Sequence, residues 1–208
     1  MDSRLTYPSD IAFTDTVKAI QSRKGSRDLY ARMEMHGGWN TGVSEELESF
    51  LVQQRSIFLG TANSNGQPYI QHRGGPPGFV KVIDRKTLAF TDFTGNRQFI
   101  SQGNLIDNPR AFLFLIDYFD KVRIKIWGHA RIVENEPELT SGLIVNPEEY
   151  RARGEQVLIF HVDAWDKNCP QHIPQRFDRE HVDELLLQRD LRIEELEKEV
   201  SLLKANNL

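Results

Sequence analysis

The chain has 208 residues, 39% of them hydrophobic and 27% charged, enough apolar material for one core with attachments and too little for two large ones. A formal net charge of −4 and a pI near 5.9 give no reason to expect a nucleic-acid or membrane-surface partner. The single cysteine, Cys169, excludes an intrachain disulfide framework and a multi-cysteine metal site. The N-terminus lacks a basic patch followed by an apolar run, and no window approaches about 18 apolar residues, so the expectation is a cytoplasmic protein without signal peptide or membrane span.

In chain order, residues 1–55 read as a polar, mostly helical lead-in. SRDLYARMEMHGG ends in a glycine pair that should stop a helix, and VSEELESFLVQQR opens on a Ser44 cap with acids in its first turn. From Ser56 the texture changes to short β-rich runs separated by turn signals: SIFLGTA, the Asn-Gly turn of NSNGQ, PYIQHR, FVKVI, TLAFTDF, AFLFLID, VRIKIWGHARIV and QVLIFHV. Six or seven strands with one obvious helix among them predict a mainly β protein, an antiparallel barrel or sandwich with peripheral helices; a doubly wound sheet would need a helix after nearly every strand. Residues 178–208 are of another kind. Val182, Leu186, Ile193, Leu196, Val200 and Leu203 fall at alternating steps of four and three, interrupted at Arg189, giving about three heptads of a coiled-coil seam among charged residues. Such a helix either lies on the body of its own subunit or pairs with another copy.

Three clusters stand out from this frame. In HRGGPPGFVKV, Pro76 and Pro77 cannot donate to a ladder and must lie in an edge or loop. Gly74, Gly75 and Gly78 strip side chains from the same place, between Arg73 and Lys81, which describes either a solvated hairpin loop or a backbone that something approaches closely. In TGNRQFISQGNLIDNP, Thr94, Gly95 or Asn96 is placed to cap a short helix running to about Leu105, with Arg97 and Gln98 in its first turn. A cation there opposes the helix dipole unless an anion is nearby, so helix start and guanidinium together read as a phosphate site, or else Arg97 points into solvent. In KVRIKIWG, alternation puts Lys121, Arg123 and Lys125 on one strand face and Val122, Ile124 and Ile126 on the other, and Trp127 beside Gly128 breaks the alternation where a flat ligand could lie.

Between about Ser56 and Phe177 the sequence resembles the FMN-binding split barrels related to pyridoxamine 5'-phosphate oxidase, and among them a flavin-nucleotide-binding branch that carries HRGGPPGF, GNR, RIKIWG and NCPQHI. All four motifs in order are a specific signal; any one alone is weak. The resemblance implies a six-stranded split barrel over residues 56–177, homodimeric, with FMN at the subunit interface. It implies that Arg73 and Lys81 grip the phosphate and ring edge, that Phe90 and Thr91 lie along the flavin, and that Asn96, Arg97 and Gln98 form the phosphate end. Gln98 stands where the oxidases have a lysine, and Arg123 stands where they have a glutamine that meets the flavin from the partner subunit.

The family's substrate-gripping ending, rich in arginine and histidine, is missing; DKNCPQHIPQRF and the heptad helix take its place, which argues against pyridoxamine-phosphate oxidation itself. Cys169, His172 and Arg176 occupy the sequence position from which substrate or flavin contacts would come and are the catalytic candidates. Cys169 and His172, three residues apart, make too few ligands for a metal site, and none is expected. His72, His129 and His161 read as structural strand histidines. The implied activity is FMN-dependent oxidoreduction between a small-molecule donor and acceptor. Two other functions remain open: a module that stores or senses flavin without turnover, and the same barrel holding haem or a deazaflavin.

Overall fold

The computed structural model describes residues 6–144, 150–168 and 170–206. They form two compact units, residues 6–116 with 123–144 and 150–168, and residues 117–122 with 170–206.

The larger unit begins with a 3-10 turn, Pro8–Ile11, and the helices α1 (Asp15–Lys24), α2 (Arg27–Met35) and α3 (Glu45–Leu51). Their ends follow local rules. Thr14 Oγ1 accepts from Val17 N–H and Ser44 Oγ from Leu47 N–H, each at 3.3 Å, and α2 stops before Gly37 and Gly38, whose φ values of 109° and 62° are left-handed. The segment after α2 is stitched to the sheet: Trp165 Nε1 donates to Gly42 O at 2.8 Å, and Val43 N–H to Arg85 O at 2.7 Å.

Seven strands follow: β1 (Ser56–Ala62), β2 (Pro68–Gly74), β3 (Lys81–Asp84), β4 (Thr87–Phe93), β5 (Arg110–Asp117), β6 (Val122–Val133) and β7 (Gly154–Asn168). They make one sheet in the order β2-β1-β5-β6-β7-β4-β3. The mainly β, antiparallel reading holds, with seven strands rather than six once the short edge strand β3 is counted. Alternation places Ile57 and Leu59 of β1, Leu113 and Leu115 of β5, and Ile124 and Ile126 of β6 inside, all essentially inaccessible. β4 is buried at five consecutive positions, Leu88 to Asp92, as a strand covered on both faces must be.

The sheet curls. β2 is one edge and β4 is next to the other, yet Arg73 of β2 is ion-paired with Asp92 of β4. Long strands that bend at bulges permit this closure, and the β6–β7 ladder shifts register between Trp127 and Gly128. The approach there is close enough that a Cβ on Gly128 would lie 1.9 Å from His161 O. Two helices attach to the sheet, α4 (Ile100–Asp107) and α5 (Pro137–Gly142). α4 is fixed over the β1–β2 hairpin by Asn104 Nδ2 to Thr61 Oγ1 at 3.0 Å and Ser101 Oγ to Gln71 Oε1 at 2.8 Å.

In the smaller unit, Asp117 Oδ1 accepts from the N–H groups of Phe119 and Asp120 at 2.8 and 2.9 Å, Phe119 lies edge-on to Phe177, and Arg176 covers the Tyr118 ring at 4.4 Å. Helix α6 (Arg179–Asn206) then runs for 28 residues. No helix among the described residues is long and apolar enough to cross a membrane.

Candidate functional site

The end of β2, the end of β4, the loop that follows β4, the start of α4 and the start of β7 meet in one surface cleft. Arg73, Asn96, Arg97 and Gln98 all line it. Residues distant in sequence, expected to act together, therefore share one site.

Closure of the sheet is what brings Arg73 there, and Asp92 holds it. Arg73 Nη1 donates to Asp92 Oδ1, and Gln156 Nε2 donates to the other carboxylate oxygen at 3.0 Å. Both charged side chains are largely buried, so the pair is shielded from solvent and rigid. The guanidinium is not fully used: Arg73 Nε is buried without a hydrogen-bond partner among the described residues. A buried donor left unpaired costs about 1–3 kcal/mol, and an acceptor brought into the cleft would recover it.

Arg97 is the opposite case. Its side chain is 67% exposed, it stands 5.6 Å from the Phe99 ring centroid, and its Nη2 lies 3.8 Å from Glu155 Oε1, beyond a hydrogen bond. An exposed pair at that distance contributes little and gives way readily to a stronger anion. With Arg73 and Arg97 offset by Asp92 and Glu155, the cleft is balanced in charge, and its capacity for an anion rests on the free Nε and on the loose Arg97.

The helix start differs from the sequence expectation. α4 begins at Ile100, so Arg97 and Gln98 precede it instead of forming its first turn, and no side chain caps it. Arg97 and Phe99 both have left-handed backbones, φ 57° and 53°, which the right-handed helix cannot include. Asn96 Oδ1 instead accepts from Gln98 N–H at 3.3 Å, a turn of the loop itself.

The HRGGPPGFVKV loop also has another use than the one expected. Its missing side chains make room for the chain's own groups: a Cβ on Gly75 would lie 2.6 Å from Phe79 Cβ, and one on Gly74 would lie 3.0 Å from the His72 ring. Phe79 and Val80 are buried by this fit, and Lys81, on edge strand β3, is not among the residues lining the cleft. Phe90 is wholly buried, edge-on to Phe79, and Thr91 Oγ1 donates to Thr140 O at 3.0 Å, so both side chains already have partners inside the subunit.

The strand KVRIKIWG is corrected in one respect. Lys121 precedes β6 in a left-handed turn and does not share its face, whereas Lys125, half-buried, pairs with Asp166 at 3.3 Å and lies over the Trp39 and Trp127 rings. One face of Trp127, where a flat ligand could have lain, is covered by Trp39, stacked at 4.5 Å and 16°. Arg123 keeps a buried Nε with no partner among the described residues, outside the cleft. His72 bonds to Ser56 Oγ at 2.7 Å and His129 Nδ1 to Asp163 Oδ2 at 2.7 Å, the structural roles expected.

Of the catalytic candidates, Cys169 lies outside the described residues. His172, exposed with φ 65°, and Arg176, on the Tyr118 ring, belong to the smaller unit. Among the described residues no cluster of three or more metal-ligating side chains occurs. Sequence reading missed Asp92, Gln156 and Glu155; the signal for Asp92 was its place as the one charge in the apolar run TLAFTDF.

The cleft fits the phosphate end of a nucleotide cofactor, through an unpaired buried donor on Arg73, a displaceable guanidinium on Arg97 and the polar residues Asn96 and Gln98 in its lining. Three solved structures with similar folds are a pyridoxamine 5'-phosphate oxidase, so described provisionally, from Lactobacillus delbrueckii, an FMN-binding protein from Syntrophomonas wolfei, and the heme storage protein HutZ from Vibrio cholerae. Their identities are 14%, 12% and 16%, with TM-scores of 0.46, 0.46 and 0.42. They cover 61%, 76% and 59% of this chain and 95%, 98% and 91% of their own. Likenesses this weak carry no weight on ligand or activity. No curated protein sequence matches the chain. The sequence model of the pyridoxamine 5'-phosphate oxidase family does match, over residues 43–169, which takes in every strand of the sheet and most of the 208 residues. On that match the chain belongs to the pyridoxamine 5'-phosphate oxidase family.

Proposed function

We propose that the protein is an FMN-binding flavoprotein, acting as a homodimer in oxidoreduction of a small molecule other than pyridoxamine phosphate. The observation that carries this reading is the cleft in which Arg73, with its buried unpartnered Nε, and the displaceable Arg97 converge beside Asn96 and Gln98. FMN, when bound, supplies hydride acceptance and return to an acceptor. The chain's own groups position it. Arg73, held by Asp92 and through it by Gln156, would supply fixed positive charge for the phosphate, and Arg97, released from Glu155, would complete it.

The test is the cofactor released by heating the purified protein, run against FMN and FAD standards, followed by FMN titration of the apo form. Arg97→Ala removes one charge-assisted contact worth about 1.5–3 kcal/mol, and so is expected to weaken FMN binding by about tenfold to a hundredfold. Unchanged affinity in that variant would overturn the phosphate assignment, and a protein that neither releases nor takes up FMN would overturn the flavin reading.

A further inference from the structure

We infer that helix α6 pairs with α6 of a second copy as a parallel, in-register, two-stranded coiled coil. This rests on the helix alone and holds whichever ligand the cleft takes.

α6 carries its apolar residues in the open: Val182, Leu186, Ile193, Leu196, Val200 and Leu203 are between 40% and 62% exposed. In the heptad they define, Leu186, Ile193 and Val200 fall at a, and Val182, Leu196 and Leu203 at d, with Arg189 at the remaining d position. β-Branched residues at a with leucine at d, as in Ile193-Leu196-Val200-Leu203, suit a two-stranded parallel coil.

The flanking charges suit the parallel orientation. In a parallel pair each g residue meets the e residue five positions on in the other helix. Here Arg192 at g meets Glu197 of the partner subunit, and Glu199 at g meets Lys204 of the partner subunit; both are attractive, and symmetry doubles them. In the antiparallel pair that keeps Ile193 opposite Leu196, e residues meet e and g residues meet g: Arg192 meets Glu199 of the partner subunit and Asp183 meets Lys204 of the partner subunit, both attractive, but Asp190 meets Glu197 of the partner subunit, a repulsion that the parallel pair does not have and that symmetry doubles. Within one helix Arg192 Nη1 rests on Glu195 at 2.8 Å, an exposed contact easily exchanged for one across the seam. Arg189 is the weak layer, because in register it faces Arg189 of the partner subunit, and Asp190, 3.6 Å away in the neighbouring e position, supplies the charge that offsets it.

The test uses the full chain with Cys169→Ser, so that the only thiol is an introduced one. Val200→Cys puts a thiol at an a position that faces its own copy only in the parallel in-register arrangement. Leu191→Cys puts one on the outer face. In a glutathione buffer, Val200→Cys is expected to form the interchain disulfide at least tenfold faster than Leu191→Cys. Adding Glu199→Lys to Val200→Cys, which sets two lysines against each other, should slow it, and adding Lys204→Glu as well should restore it. Equal rates at the two positions, no crosslink at Val200→Cys, or failure of the charge exchange to restore the rate would each overturn the inference. Leu191, Glu199, Val200 and Lys204 are exposed on α6, so sheet folding, checked by circular dichroism, is expected to be unaffected by these changes.

Discussion

Asp92 shows how much a single side chain decides in the cleft. It sits among Leu88, Ala89, Phe90 and Thr91 on a strand buried on both faces, where an unpaired carboxylate would be untenable, and Arg73 is what makes it tolerable. Breaking a buried pair from one side costs about 3–5 kcal/mol, because the remaining charge is stranded. Arg73→Ala and Asp92→Ala are each expected to lose about that much stability in chemical denaturation, and the double variant clearly less than their sum. Additive losses would show that the two side chains are not coupled. Arg73 stood out in the sequence as an arginine ahead of a glycine-proline run, a pattern that a solvated hairpin loop also gives. Asp92 was visible as an anomaly, but nothing local says that its partner comes from a strand at the opposite side of the sheet.

At the scale of elements, the β6–β7 ladder carries the bend that closes the sheet, and Gly128 is the hinge of that bend. With His161 O 1.9 Å and Phe160 Cε1 2.6 Å from where its Cβ would stand, no side chain fits without parting the strands. Gly128→Ala is expected to cost about 3 kcal/mol or more, read as a lowered thermal midpoint or a failure to accumulate folded protein. An unchanged midpoint would mean that the strands separate there at no cost. Strand positions were readable from alternation, as VRIKIWGHARIV shows by coinciding with β6 residue for residue. The start of α4 was not, because the left-handed turns at Arg97 and Phe99 are imposed by the loop's surroundings, and no glycine or asparagine at those two positions announces them.

At the scale of the whole molecule, stability in acid depends on the lead-in. Burial pushes the Asp10 carboxyl up, but the Lys18 ammonium at 2.6 Å and the N–H groups of Tyr7 and Thr6 at 2.9 Å outweigh it, leaving Asp10 below the ordinary carboxylate range. A lowered folded-state value means that the contribution is complete above the unfolded value, about 3.9, and is lost as pH falls through the folded one. Denaturation midpoints are expected to drop below about pH 4, and the drop should be smaller in Asp10→Asn. A variant with the same acid profile would place the loss in other carboxylates.

The sequence by itself determined the mainly β class, the strand positions, the glycine stop of α2, the Ser44 cap of α3 and the heptads of α6, because each depends on a period or a side-chain type within reach of its own neighbours. Only the tertiary structure decided that Arg73 and Arg97 share a cleft while Lys81 stands outside it, that the GGPPG glycines make way for Phe79 and His72, and that Trp39 covers Trp127. These are contacts between segments far apart in the chain, and they follow from how a curled sheet closes, which no local pattern records.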